Sequence, residues 1–549
     1  MNLQRQILAL ALLLVASCAT SIAQDSRGSI AGRITDPNNA VVPAATVTLK
    51  NLATQVETAS TTNSDGNYNF PFVQPGKYTI TVAAQGFNNQ TREGIEVQVA
   101  DRLTLDLQMA VAGVGEMVTI TSGLVLETGS VSTGSVITSR QINELPLIDG
   151  AAYQLATQAP GVVYTGNPAF TSPTSNGNLA AFRANGGTGP NQITLDGSPN
   201  FAIDGGVGFT PPSDAVQEFK VQTNAFDAQQ GYTGSATVNV AVKSGTNDAH
   251  GSLYYFNRAR NRTANNFFSN RTGQARPERS YHRYGGSLSG PVYIPKIYDG
   301  REKTFFLFAY ERLRNSDPEP QLFTVPTAAM RQGDFSALMN LAQPIRIYDP
   351  ATAQATGTVT RTQIRDLSRA TAANPQGLNI IPLNRLNPVA VNYLKLYPLP
   401  NTAGNPDGTL NYFSNMTRTS IYRSWITRID HRFNQNHTIF GKYYHSFNPE
   451  NRYNWTATPL TEGAEGRTND GASVDYTAML SNSIIFDIRA NLSRFVQERR
   501  PGTVFDPATL GFSGTAIAAM RGYEYLPRFD IRTLRCVATS TFDSWFQSR

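Results

Sequence analysis

The run SIIFDIRANLSRF, residues 483–495, places Ile484, Phe486, Ile488, Ala490 and Leu492 on every second position, with Asp487, Arg489, Asn491 and Ser493 between them. Period-two alternation predicts a strand with one apolar and one polar face. SWITRIDHRF repeats it. Trp425, Thr427, Ile429, His431 and Phe433 share one face, and Ile426, Arg428, Asp430 and Arg432 share the other. Charges lie deep inside both runs. HGSLYYFNR, YHRYGGSLSGPVYI, KTFFLFAYERLR and HTIFGKYYHSFN read as further long strands from residue 246 onward. Only QN separates ITRIDHRFN from HTIFGKYY, whereas a Pro/Asn-rich stretch from Asn315 to about Met416 reads as one long loop.

Short turns at one end, long loops at the other and aromatic-rich alternation form the pattern of an antiparallel outer-membrane β-barrel. On that reading Ile484, Phe486, Ile488 and Leu492 face lipid, and Asp487, Arg489 and Asn491 face a wet lumen. The reverse orientation fails on energy: one Arg on the lipid face near midplane costs roughly 2–4 kcal/mol, so a one-residue slip is selected against.

Residues 24–112 alternate over shorter spans. GSIAGRITD, AATVTLKN, PGKYTITVAAQGF and IEVQVADRLTLDLQMA, with turns at Asp65-Gly66 and Pro75-Gly76, predict a small β-sandwich. Asp65-Gly66 reads as a hairpin turn; a calcium site there would lack a full set of oxygen ligands. Residues 113–245 mix short helices, broken at Pro146 and Pro160 with Ser139 as an N-cap candidate, with turn-flanked strands, an α+β unit.

The N-terminus changes where these parts are placed. Arg5, the apolar run Ile7–Ala16 and small residues at Ser21 and Ala23 form an export signal, residues 1–23, cleaved after Ala23; the rival reading is lipidation at Cys18. After cleavage at Ala23 only Cys536 remains, so an intrachain disulfide and a cysteine metal site are both excluded. No later run has 18 consecutive apolar residues, which excludes a membrane-spanning helix. The formal charge of +6 and seven arginines between Arg258 and Arg283 could suit nucleic acid or anionic lipid, but export disfavours the former. That run reads as a rim or loop segment. His431, His437 and His445 fall on different strands or in a turn, with no supporting carboxylate spacing, and read as structural; no catalytic motif or cofactor site stands out. The chain is not read as an enzyme.

Two resemblances follow. GSIAGRITDPNNAVVPAATVTLKN, TTNSDGNYNFPFVQPGKYTITVAAQGF and LTLDLQM resemble the carboxypeptidase regulatory-like domain, a transthyretin-like module. The ordered set TITS, INELP, APGV, NQITLDGSP, VQEFKVQTN, GSATVNVAVKSGTN and HGSLYYF resembles the plug of TonB-dependent outer-membrane receptors of the Oar type. The resemblance implies uptake of a scarce or bulky ligand, small or oligomeric, with TonB and outer-membrane lipid as partners and the N-terminal domain in the periplasm. It places the TonB box at Glu116, Met117, Val118, Thr119, Ile120 and Thr121, where the other reading is an ordinary inter-domain strand. It also marks Asn191, Gln192, Asp196 and Asn200 as ligand-facing candidates, against turn chemistry that holds the plug together.

The expectation is a mainly-β chain: signal peptide 1–23, transthyretin-like sandwich 24–112, α+β plug 113–245 and an incomplete barrel 246–549. Plugged transporters use about 22 strands, more than the last segment offers, and RTLRCVATSTFDSWFQSR neither alternates nor ends on an aromatic residue. A truncated or frame-shifted copy, broken near Asp530, is expected. The alternative is a secreted or surface β-rich carbohydrate-binding or adhesion protein.

Overall fold

The computed structural model describes residues 26–520 except 113–117, 122–132, 146, 148–149, 167–172, 174–178, 203–204, 225–232, 266, 268–269, 271–275, 277–278, 355–359, 453–462, 482–483 and 502–505. The export signal, Glu116, Met117, Pro146, Cys536 and the run around Asp530 lie outside the described residues.

The first body is a two-sheet sandwich. Its strands are β1 (Gly28–Thr35), β2 (Thr46–Asn51), β3 (Glu57–Thr61), β4 (Asn67–Val73), β5 (Gly76–Ala83), β6 (Gln90–Val97), β7 (Arg102–Thr104), β8 (Leu107–Gln108) and β9 (Val118–Thr121). One sheet runs β4-β1-β7, with β8 also on β1; the other runs β3-β2-β5-β6-β9. Alternate residues such as Ile30, Val47, Leu49, Phe70, Ile80, Val82 and Ile95 are buried between the sheets, as period-two packing requires. The Asp65-Gly66 turn differs from the expected hairpin. It links β3 to β4, which belong to different sheets. Asn63 Oδ1 accepts from the amides of Asp65 and Asn67, and Gly66 takes φ +72°, so the dipeptide serves a crossing between layers.

The central body begins with β10 (Thr133–Thr138) and a short helix, Ser139–Glu144. Thr138, not Ser139, is the N-cap: its hydroxyl accepts from the Gln141 amide while the Gln141 side chain accepts from the Thr138 amide, a reciprocal box that satisfies two end donors. A 3-10 helix, Ala152–Gln158, precedes β11 (Val162–Tyr164), β12 (Phe182–Ala184), β13 (Gln192–Leu195), β14 (Ser198–Pro199), β15 (Val216–Asn224) and β16 (Thr237–Val242). Five strands form one sheet, β10-β15-β16-β13-β14, in which β13 and β16 are parallel. Every residue of β13 and β16 is buried, because both faces are covered.

The last body is a wall of antiparallel strands. It consists of β17 (His250–Ala259), β18 (Ser280–Pro291), the small pair β19 (Tyr293–Ile294) and β20 (Tyr298–Asp299), then β21 (Thr304–Phe323), β22 (Tyr412–Arg432), β23 (His437–Arg452), β24 (Gly463–Ser481) and β25 (Ile484–Pro501). The sheet order β17-β18-β21-β22-β23-β24-β25 is a meander. One end carries short connections, including the turn between Arg432 and His437, where Asn434 Oδ1 caps the amides of Asn436 and His437. The other end carries the long loop. That loop begins later than Asn315 and ends before Met416, because β21 and β22 pair without interruption from Thr304↔His431 to Phe323↔Tyr412. Pro318 and Pro320 read as breakers, yet two prolines at alternate positions present their missing N–H groups on one side only.

The alternation predicted from sequence sets the two faces of the wall. Ile429, Ile484, Phe486, Ile488 and Leu492 are exposed on the outward face. Ile484–Leu492 makes nine residues, the length that crosses a hydrocarbon core at a tilt of about 45°. Further along, Arg494 on β25 and the cross-strand pair Arg312 and Arg423 on β21 and β22 take over that face. On the inward face Ile426, Arg428, Lys442 and Asp475 are buried. Leu307, Ala309, Ile426 and Tyr444 of the wall share one buried cluster with Ile193, Phe209, Phe219 and Val238 of the central body.

Candidate functional site

The seam between the central body and the wall is organised by an Asp-Gly turn. Leu195 pairs with Ser198, and between them Asp196 (φ +49°) and Gly197 (φ +75°) both take left-handed backbone, the two-residue hairpin for which Asp-Gly is suited. The turn aims the Asp196 carboxylate into the wall. Lys442 Nζ lies 3.0 Å from its Oδ2, while Oδ1 lies 3.4 Å from Arg428 Nη1 and accepts from the Val242 amide at 2.8 Å. Burial alone would raise the Asp196 carboxyl, but Lys442, Arg428 and the Val242 amide together hold it below the usual carboxylate range.

Arg428 and Lys442 stand side by side on adjacent strands in register. Arg428 also bonds Asp430 at 2.8 Å, and Asp430 accepts from Ser244 Oγ at 2.9 Å. Lys442 further donates to the Leu195 carbonyl. Asp196, Arg428 and Lys442 are buried, Asp430 is partly so, and the four are mutually satisfied, the condition for tolerating buried charge.

A second anchor lies on β18, two strands away from β22 in the same sheet. Arg283 bonds Glu311 at 2.6 Å and Ser213 Oγ at 2.9 Å, and Tyr254 donates to the same carboxylate. Gly150 (φ +68°) leaves room for it: a Cβ there would lie 1.8 Å from the guanidinium. Arg283 therefore lies inside a strand facing the central body, not in the rim segment expected of the arginine-rich run. Phe209 stacks on Tyr444 at 4.4 Å, and Tyr422 donates to the Thr210 carbonyl.

The ligand-facing candidates Asn191, Gln192, Asp196 and Asn200 are all buried. Asn191 bonds the carbonyls of Ala180 and Phe182 and the Ala236 amide. Asn200 bonds Tyr153 and both backbone groups of Phe209. Asn191 and Asn200 thus hold turns and strands of the central body together. The arginine–lysine pair that receives Asp196 was missed from sequence. Arg428 was seen on its face, but nothing marks which luminal charge meets which turn until the register is known.

The candidate coupling segment is divided. Its residues Val118–Thr121 form β9, parallel to β6 in the register Gln90↔Val118 to Glu93↔Thr121. His431, His437 and His445 bond Thr304, Tyr476 and Asp470 separately, and among the described residues no group of three His, Cys, Asp or Glu side chains could hold a metal.

The sandwich closes the short-turn end. Asp101 pairs with Lys220 at 3.1 Å, Glu218 accepts from the Val99 amide, and Asn247 bonds the backbone of Ala53 and Thr54. A crevice of about 400 Å³ remains between the three bodies, bordered by Phe72, Tyr78, Val242 and Phe440 among others.

A membrane-facing strand wall that seats a folded body against its charged inner face, behind an N-terminal sandwich, defines a receptor-like outer-membrane protein. The chain belongs to the outer membrane beta barrel domain family, which matches residues 241–549, and residues 29–110 match the carboxypeptidase regulatory-like domain. It is similar to the TonB-dependent transporter Oar of Myxococcus xanthus, with 25% identity over 217 residues, 38% of this chain and 19% of that relative. The match thus spans about a fifth of the relative's length. Among solved structures it is similar to the outer membrane transporter YddB of Escherichia coli (10% identity, 68% of this chain and 40% of that chain, TM-score 0.41). It is also similar to the ferric enterobactin receptor of Pseudomonas aeruginosa (13% identity, 66% and 41%, TM-score 0.34).

Proposed function

We propose that the chain acts in TonB-coupled uptake of a scarce or bulky ligand across the outer membrane. The observation that carries the reading is the two-faced wall: apolar residues Ile429, Ile488 and Leu492 outward, and Arg428 and Lys442 inward, clasping Asp196 of a folded body. A soluble carbohydrate-binding or adhesion sheet has no use for a nine-residue band of exposed Ile, Phe and Leu. On this reading the segments 24–112, 113–245 and 246–549 are a transthyretin-like periplasmic sandwich, a plug and a barrel wall. Glu116–Thr121 is the segment TonB takes hold of, by adding a strand to its own sheet. Asn191, Asp196 and Asn200 keep the resting plug folded and seated, so ligand contact falls to the outer loops.

The test is binding of the cognate TonB periplasmic domain to the purified full chain in detergent, with and without residues 116–121. Binding that depends on those six residues supports the proposal. Equal binding by both forms, or none by either, removes it.

A further inference from the structure

β9 is the outermost strand of its sheet and, among the described residues, pairs only with β6. We infer that the edge of β6 in the N-terminal sandwich is a strand-holding surface that keeps Val118–Thr121 out of TonB's reach until the segment is stripped from it. The inference rests on the reading of this segment as the TonB-contact segment, and adds an internal competitor for it.

Three features carry it. First, strand addition uses backbone N–H and C=O groups, and β9 already offers its own to β6. In a parallel ladder only every second residue bonds one neighbour, the rest pointing away. A strand as short as Val118–Thr121 therefore leaves about two residues on its free edge, too few for a partner that recognises the whole run. The segment must leave β6 to be read in full. Second, the hold is short: Val118–Thr121 face only Gln90–Glu93, a four-residue parallel ladder. Third, release is possible without dismantling either neighbour. Eleven residues separate Thr121 from β10, a length of chain that extended spans roughly 40 Å. The sandwich itself stays in place through Lys220–Asp101 and Glu218–Val99.

The experiment locks the pairing. Thr91→Cys and Thr119→Cys replace two residues in register, in the full chain with Cys536→Ser, and parallel neighbours lie within disulfide reach. Arg92→Cys with Ile120→Cys repeats the lock one position along, in case the first pair is poorly tolerated. Binding of the cognate TonB periplasmic domain is measured before and after oxidation. The expected result is a disulfide in both variants, a loss of affinity of at least tenfold on oxidation and full recovery on reduction. A disulfide that forms and leaves affinity unchanged overturns the inference while the uptake reading survives. Failure of both pairs to crosslink overturns it too, because β9 then does not rest on β6. Absence of binding in the reduced variants and in the unmodified chain overturns both readings together.

Discussion

Arg27 Nη2 lies 2.8 Å from Asp487 Oδ2, and the same guanidinium reaches Asp475 at 3.1 Å and Thr477 at 3.0 Å. It also lies over the Phe72 ring at 4.4 Å. An arginine just ahead of β1 thus enters the short-turn mouth of the wall.

Replacing Arg27 with Ala should loosen the docking of the sandwich, which Lys220–Asp101 and Glu218–Val99 still hold, without unfolding the wall. Asp475 keeps Arg489 at 2.7 Å and Asp487 keeps Thr477, so neither carboxylate is stranded. Loss of charge-assisted hydrogen bonds of this kind costs about 1.5–3 kcal/mol. Limited proteolysis should release the N-terminal sandwich faster from the variant while the remainder keeps its stability in denaturant. Unchanged release would show that the contact does not hold the two bodies together.

Asp196→Ala should be more damaging than its position in a turn implies. It leaves Lys442 buried with only the Leu195 carbonyl, whereas Arg428 retains Asp430. Breaking one side of a buried ion pair costs about 3–5 kcal/mol. Hydrogen exchange of β13 and β16 should rise steeply. Adding Lys442→Met should restore part of the loss, because the stranded charge is removed with its partner; a double-mutant cycle with no coupling would refute the pairing.

Docking of the sandwich on the central body should weaken as pH rises. Burial, together with Asp101 and Glu96 and against the Val99 amide and Lys220, pushes the Glu218 carboxyl up to about 7 from 4.5. In the docked state it binds its proton more tightly than when free. The stabilisation is therefore complete below about 4.5 and is lost as pH climbs through about 7. Proteolytic release of the sandwich followed from pH 5 to 8 should accelerate over that window. Glu218→Gln should flatten the profile.

Gly471 sits where a side chain would collide with Tyr444, a Cβ lying 2.0 Å from the ring. Gly471→Leu should push Tyr444 off Phe209 and loosen the central body, by about 1–3 kcal/mol for overpacking of this kind. Gly466, with nothing near its Cβ, is the control: Gly466→Ala should leave stability in denaturant unchanged.

The outward band predicts an asymmetry along one strand. Ile488→Lys should cost about 2–4 kcal/mol of insertion if it lies near midplane, and Asn491→Lys, on the inward face, close to nothing. Incorporation into lipid vesicles, read by protection from protease, separates the two. Equal incorporation would remove the lipid-facing assignment.

The strand wall was legible because its signal repeats: Ile484–Leu492 and Trp425–Phe433 alternate over many residues, and register follows from which face carries charge. The sandwich strands were legible for the same reason. The helix cap was misplaced by one residue because Thr138 and Ser139 both bear a hydroxyl, and only the reciprocal bond with Gln141 decides between them. The long loop was drawn too wide because proline counts as a breaker in isolation, whereas a neighbouring strand can carry it. The seam was the least legible part. Asp196 was singled out for a ligand, but its partners Arg428 and Lys442 lie more than 230 residues away, and nothing local in the chain ties a turn to a strand over such a distance. Arg283 was hidden for a similar reason: within a run of arginines it looked like solvated charge, and only Glu311 and Gly150 set it apart.

The buried cluster that joins Leu307, Ala309, Ile426 and Tyr444 to Phe209 and Val238 makes the central body a cover as well as a tenant. Those four apolar wall residues lie on the same face as Arg428 and Lys442, so a wall stripped of the central body would present both its apolar and its charged inner side chains unpartnered.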